Sequence, residues 1–286
     1  VAAGGLEVVG PAGTVSAGGR AGVAVHMVRV AGRWLEVEDR KGGDPPLLLL
    51  HEGLGSLSLW RDLPARLALA TGSRVVTWSR YGYGRSEVLE GPRRPRYMHD
   101  EALVALPALR EAMGLEEAPV VLVGHSDGAS IAVIHSGARR WPVGGLALLA
   151  PHVMVEERSL AGIAAAREAY LGTDLRERLG RHHRDPDATF WGWNRAWLDP
   201  GFRSWDIRDY LGGISCPVLV VQGTDDAYGT LAQVEAIEQG VRGPVETLVL
   251  PGCGHAPQVE RPEETLGAIA ELVGKVREGV GQGQRP

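Results

Sequence analysis

Short apolar runs recur along the chain at intervals too wide for one helix. Leu47–Leu50, Val75–Trp78, Val120–Val123, Leu146–Leu149, Val218–Val221 and Thr247–Leu250 each fit a strand buried on both faces. Ahead of them, Val23–Val30 and Arg33–Glu38 read as a hairpin pair with Ala31-Gly32 as the turn. Between the runs lie stretches with helical spacing, at about 57–70, 98–113, 127–139, 230–240 and 262–278. Alternation of strand and helix predicts an α/β fold: a mostly parallel, twisted sheet of about eight strands with helices on both faces. One segment breaks the alternation. Residues 152–213 carry helix formers and no strong strand, and hold four of the eight tryptophans, Trp191, Trp193, Trp197 and Trp205. They read as a helical cap inserted after the sixth strand. The expected organisation is a Gly/Ala-rich flexible tail over 1–20, a core built from 21–151 and 214–286, and the cap over 152–213.

Composition narrows this picture without changing it. The 286 residues suffice for one large α/β unit, and 44% hydrophobic with 23% charged residues is ordinary globular composition. The net charge of −5, with scattered arginine, offers no cationic tract for nucleic acid or an acidic membrane surface. No window approaches a transmembrane length, and the start lacks a basic, then apolar, leader pattern. Residue 1 is Val, so the numbering need not begin at an initiator methionine. Cys216 and Cys253 fall at opposite ends of adjacent parallel strands, so free thiols and a reducing, cytoplasmic setting are expected.

The chemistry enters at VLVGHSDGAS, residues 121–130. A strand ends at Gly124, and Ser126 stands between Gly124 and Gly128 where a helix begins. G-x-S-x-G at a strand-to-helix junction is the pattern of a sharp, strained turn that needs small neighbours two residues away on each side. Such a turn projects the hydroxyl from the carboxyl edge of the sheet, over the positive end of the helix. A helix N-cap is the plainer reading of one such serine. A serine hydroxyl also needs a base and an orienting acid before it attacks. Asp225 and Asp226 follow the seventh strand and His255 follows the eighth, both at strand ends that a parallel sheet gathers on one edge.

Five ordered segments together resemble the α/β-hydrolase superfamily over about residues 23–278. They are His51-Glu52-Gly53, Ser79–Ser86 (SRYGYGRS), GHSDG at 124–128, GTDD at 223–226 and GCGHAPQVERPE from Gly252. The resemblance implies Ser126 as nucleophile, His255 as general base and Asp226, by the spacing from Gly223, as the acid, with Asp225 left as a turn residue. It places the oxyanion hole at the backbone N–H groups of Asp127 and Gly53, with Leu54 as fallback. Relatives that carry the acid after the sixth strand have a carboxylate there; this chain reads Ala150-Pro151-His152. Glu52 and Asp127 depart from the commonest family residues and put two carboxylates beside a site that develops negative charge. They are therefore expected to turn away and be neutralised by Arg80, Arg85 or His125.

Under the cap, Leu54, His152, Trp191 and Trp197 are the candidate pocket residues. His182-His183 lacks a spaced third ligand, so no metal is expected. The tyrosine- and glycine-rich loop at Tyr81–Gly84 lacks nucleotide-binding spacing, and no cofactor is expected. The leading expectation is a serine hydrolase acting on a small to medium carboxylic ester, a small-molecule partner. Nucleic acid and stable membrane insertion are not expected, and a homodimer stays open. A C–C bond hydrolase, an amidase, an aminopeptidase, an acyltransferase, a cofactor-free oxygenase and a ligand receptor with a retained triad are the alternatives on the same fold.

Overall fold

The computed structural model describes residues 23–283. The proposed tail over 1–20 lies outside the described residues. Eight strands form one sheet: β1 (Val25–Val30), β2 (Arg33–Arg40), β3 (Gly43–Leu50), β4 (Ser73–Trp78), β5 (Val120–His125), β6 (Val143–Leu149), β7 (Val218–Gly223) and β8 (Val245–Leu250). Their spatial order is β1-β2-β4-β3-β5-β6-β7-β8. β2 alone runs against its neighbours, and every other pairing is parallel. The strand order reverses between β3 and β5, so the crevice beyond their carboxyl ends is the natural place for a site. The expected α/β architecture is therefore the observed one, hairpin included.

Ten α-helical segments accompany the sheet among the described residues: α1 (Leu63–Thr71), α2 (Tyr97–Asp100), α3 (Leu106–Ala112), α4 (Asp127–Gly137), α5 (Glu157–Gly172), α6 (Leu175–Gly180), α7 (Pro186–Trp197), α8 (Leu231–Gly240), α9 (Pro257–Glu260) and α10 (Pro262–Gly283). The single helix expected over 57–70 is a 3₁₀ turn at Leu57–Trp60 followed by α1, because Arg61 takes a left-handed φ of 55° between them. The stretch at 98–113 is likewise broken. A π-helical turn, Glu101–Ala105, separates α2 from α3. Pro107 follows it and has no N–H to return to the Leu103 carbonyl, so the regular ladder cannot continue there.

Side chains of the inner strands alternate between two apolar layers, whereas β8, expected to be buried on both faces, is an edge strand that leaves Thr247 and Val249 exposed. Leu48, Leu50, Val76, Trp78 and Leu122 face one layer, which continues into α4 and the helices of 152–213. Leu47, Leu49, Val75, Val121 and Val123 face the other, closed by α1 and α10. The sheet is thus rigid on both faces, and only its carboxyl edge is free to carry chemistry. Residues 152–213 hold α5, α6 and α7 with two 3₁₀ turns, tied to themselves by a bridge between Met154 and Asp206. Among the described residues, no helix is long and apolar enough to cross a membrane.

Candidate active site

Ser126 links β5 to α4 with φ 53° and ψ −115°, a left-handed value that a residue with a Cβ adopts at a cost of about 1–3 kcal/mol. The surrounding glycines explain how the turn is held. A Cβ on Gly124 would lie 2.4 Å from the Gly128 carbonyl oxygen, and one on Gly128 would lie 1.9 Å from the Leu50 carbonyl oxygen. Helix α4 is therefore pressed against the ends of β5 and β3 as closely as backbone allows. Ser126 N–H donates to the Leu149 carbonyl at 2.9 Å, which fastens the turn to β6 as well.

The other polar groups arrive from successive strand ends. His255, after β8, places Nε2 2.9 Å from Ser126 Oγ. Its Nδ1 lies 2.9 and 2.8 Å from the two carboxylate oxygens of Asp226, after β7. A carboxylate can only accept, so Nδ1 carries the proton and Nε2 is left to accept from the serine. Asp226 is buried, and burial alone would raise its pKa. The hydrogen bond from His255, the N–H of Tyr228 at 2.7 Å and the amide of Gln222 at 2.9 Å reverse this and hold it at about 2. Asp225 is exposed and accepts from Thr224 Oγ1, as a turn residue would. The histidine ring is also fenced: the rings of Tyr228, His125 and His152 lie at centroid distances of 4.6, 5.2 and 5.7 Å.

The two carboxylates beside the serine are both paired, each in its own way. Asp127 is buried and accepts from the Tyr97 hydroxyl and from Trp197 Nε1 at 3.2 Å, with Arg80 Nη2 3.8 Å away. Burial raises its pKa against the opposing pull of Arg80 and these donors. Glu52 stands 3.3 Å from His125 Nδ1. Burial would raise the Glu52 carboxyl, but the His125 contact holds it down at about 2. The same pairing outweighs burial at His125 and raises that imidazole. His125 Nε2 donates to the His255 carbonyl at 2.7 Å, so Glu52 braces the histidine loop through His125. Arg85, offered as a partner on sequence grounds, is exposed and forms no ion pair among the described residues.

A family model described as the alpha/beta hydrolase family matches residues 47–268. The chain belongs to that family. Among its curated relatives, a proline iminopeptidase of Lactobacillus helveticus is 24% identical over 267 residues, covering 79% of this chain and 89% of that protein. A thermophilic esterase from Thermogutta terrifontis superposes with a TM-score of 0.67 at 23% identity, covering 88% of this chain and 99% of that one. A 2-hydroxy-6-oxo-6-phenylhexa-2,4-dienoate hydrolase from Rhodococcus sp. strain RHA1 gives 0.72 at 20% identity, with the same coverage. The family makes the protein a hydrolase, and the relatives, which differ in the bond they cleave, leave its bond type open.

Within this alpha/beta hydrolase, the sequence-predicted pocket residues separate. His152, after β6, is buried beside His255, and among the described residues its Nδ1 has no hydrogen-bond partner. Burial and the neighbouring His255 lower its pKa to about 3, so the ring is neutral. Trp197 is buried against His152 at 5.4 Å and reaches Asp127. Leu54 sits on the loop after β3, its carbonyl accepting from His183 Nε2 at 3.0 Å. Trp191 does not join them: its ring is half-buried between the guanidinium groups of Arg167 and Arg195, at 5.9 and 5.2 Å. Besides Trp197, α7 sends Trp193 to the site. A Cβ on Gly53 would lie 2.0 Å from its Nε1, so the indole packs directly on that glycine. The periodicity of α7 carried this signal, since Phe190, Trp193 and Trp197 share its buried stripe and Trp191 falls beside it. Tyr97 and Gln222 carried no local sign of their partners. His182 and His183 bond Ser58 and the loop residues Gly84 and Leu54, and share no ligand geometry.

Proposed function

We propose that this alpha/beta hydrolase is a serine hydrolase that cleaves a small to medium, mostly uncharged carboxylic ester through an acyl-enzyme on Ser126. The observation that carries the reading is the continuous hydrogen-bond chain from Ser126 through His255 to Asp226. His255 Nε2 takes the hydroxyl proton as Ser126 Oγ attacks the ester carbonyl carbon. Asp226 stabilises the resulting imidazolium without taking its proton. The N–H groups of Gly53 and Asp127 receive the developing oxyanion. The proton on His255 then passes to the leaving alkoxide, and the acyl group stays on Ser126. A water, deprotonated by the same imidazole, attacks the acyl-enzyme and releases the acid. Neutral His152 is placed to hydrogen-bond a polar atom of the substrate, and Trp193, Trp197 and Leu54 give the site its apolar lining.

Charge pairing favours an ester over the alternatives. A peptidase acting at an amino terminus needs a carboxylate to receive the ammonium. Glu52 and Asp127 are already paired with His125 and with Arg80, Tyr97 and Trp197, and Glu156 with Thr230 and Gln233. An anionic substrate needs a free guanidinium, and Arg80 and Arg93 already face Asp127 and Glu101 at 3.8 and 3.7 Å. The test is a panel of p-nitrophenyl esters of increasing acyl length, run beside proline p-nitroanilide. Ester turnover with a length optimum and no anilide turnover supports the reading. Preferential cleavage of the anilide would replace it with a peptidase.

A further inference from the structure

Gly53 and Asp127 leave the sheet from different strands, β3 and β5, so the proposed oxyanion hole requires that two independent peptides be held in register. Arg80, the second residue after β4, lies behind both and is fully buried. Its Nη2 donates to the Glu52 carbonyl at 2.9 Å and approaches the His51 carbonyl at 3.3 Å. The same nitrogen is 3.8 Å from Asp127 Oδ2. The guanidinium rests on the ring of Tyr83, 4.6 Å from its centroid.

The Glu52 carbonyl is the decisive acceptor, because its peptide ends in the Gly53 N–H. Among the described residues the one cis bond is Asp44–Pro45, so this peptide is trans and its C=O and N–H point in opposite directions. A donor that fixes the carbonyl on one side therefore fixes the N–H on the other. A cationic donor also polarises the amide and leaves its hydrogen more positive. Arg80 acts on this carbonyl by a second route. Its backbone N–H donates to His51 Nε2 at 3.1 Å, which leaves the proton on His51 Nδ1, and Nδ1 donates to the same Glu52 oxygen at 2.7 Å. Arg80 Nη1 is buried with no hydrogen-bond partner among the described residues. A guanidinium that merely filled the core would be poorly satisfied here, which favours a role for the contacts it does make.

We infer that Arg80 is the positioning residue of the oxyanion hole: one buried guanidinium ties the Glu52–Gly53 peptide to the Asp127 side chain and so aims both N–H donors. The inference rests on the proposed serine chemistry. Arg80→Met removes the charge and the donors; Arg80→Lys keeps a charge, but its side chain is one bond shorter and draws the donor back from the Glu52 and His51 carbonyls that Nη2 reaches. The experiment measures the second-order rate of fluorophosphonate labelling of Ser126, with kcat and KM for a p-nitrophenyl ester and the melting temperature alongside. Labelling passes through a phosphoryl oxyanion and so reads the hole without a natural substrate. The expected result is a fall of about 10- to 100-fold in labelling rate and kcat for Arg80→Met, with Arg80→Lys between it and wild type and KM within about threefold. Should Arg80→Met not fold, Arg80→Lys decides. A folded Arg80→Lys that labels at the wild-type rate, or variants that change KM alone, would overturn the inference while leaving the serine reading standing. A wild-type chain that does not label at all would overturn both.

Discussion

The ends of the strands and the helical segment 152–213 meet at the same site but are built on different rules. At the strand ends, each chemical group sits within a few residues of a buried strand: Gly53 after β3, Ser126 after β5, His152 after β6, Asp226 after β7 and His255 after β8. Hydrogen bonding of the sheet sets where those strands stop, so spacing along the chain translates directly into position. In 152–213, contacts with the site are made by side chains halfway along a helix. Which of them reach the site depends on how α7 is rotated and docked, as Trp193 on Gly53 and Trp191 between two arginines illustrate. On the proposed function, the first region makes the chemistry and the second shapes the space beside it.

That contrast can be tested most severely at its catalytic half. Ser126→Ala is expected to lower ester kcat by about 10⁴-fold or more, and Asp226→Asn by about 10⁴-fold through loss of the correct histidine tautomer. Asp225→Ala, one residue away but exposed, is expected to leave kcat within about twofold. Steady-state kinetics on one ester checks all three. Next in size is the helical half. Trp193→Ala should cost about 3–5 kcal/mol in urea unfolding as a buried aromatic deletion, whereas Trp191→Ala should cost less, about 2 kcal/mol, the scale of a half-buried cation–π contact.

The seam between the halves is Gly53. Gly53→Ala must displace the indole of Trp193 or tilt the peptide, and is expected to lower kcat by about 10²-fold, the scale of one lost oxyanion donor. Adding Trp193→Ala should recover part of that loss, a positive coupling measurable in a double-mutant cycle. A further effect is on the pH dependence of stability. The folded pKa of Asp226, about 2, lies below its ordinary 3.8, so its contribution is complete above 3.8 and is lost as pH falls through 2. The unfolding free energy of the wild type from urea titration should decline across that window by an amount of order 2 kcal/mol, and Asp226→Asn should flatten the decline.

Most of the fold was legible because a doubly covered parallel sheet needs continuous apolar runs, and runs such as Leu47–Leu50 and Val120–Val123 are short, aliphatic and bounded by Pro or Gly, which favours strand over buried helix. The interruption by a π-helical turn at Glu101–Ala105 was not, although Pro107 marks the place where a regular helix cannot persist. At the site, the grouping of Ser126, Asp226 and His255 could be read from residue type and spacing, because each is delivered by a strand end. The partners of the extra carboxylates could be named only as a short set. Asp127 meets Tyr97, thirty residues earlier, and Trp197, seventy residues later, and such contacts are settled by packing that no local window contains. The choice of Trp191 over Trp193 was different: the helical stripe of α7 was present in the sequence and distinguishes the two.

The central claim is that His255 and Asp226 make Ser126 an activated nucleophile. Intact-mass and peptide-mass analysis after exposure to a fluorophosphonate, on wild type, Ser126→Ala and His255→Ala, tests it most directly. The account predicts a single adduct on the peptide bearing Ser126 in the wild type and none in either variant. An adduct on another residue, or equal labelling of Ser126 when His255 is absent, would contradict it.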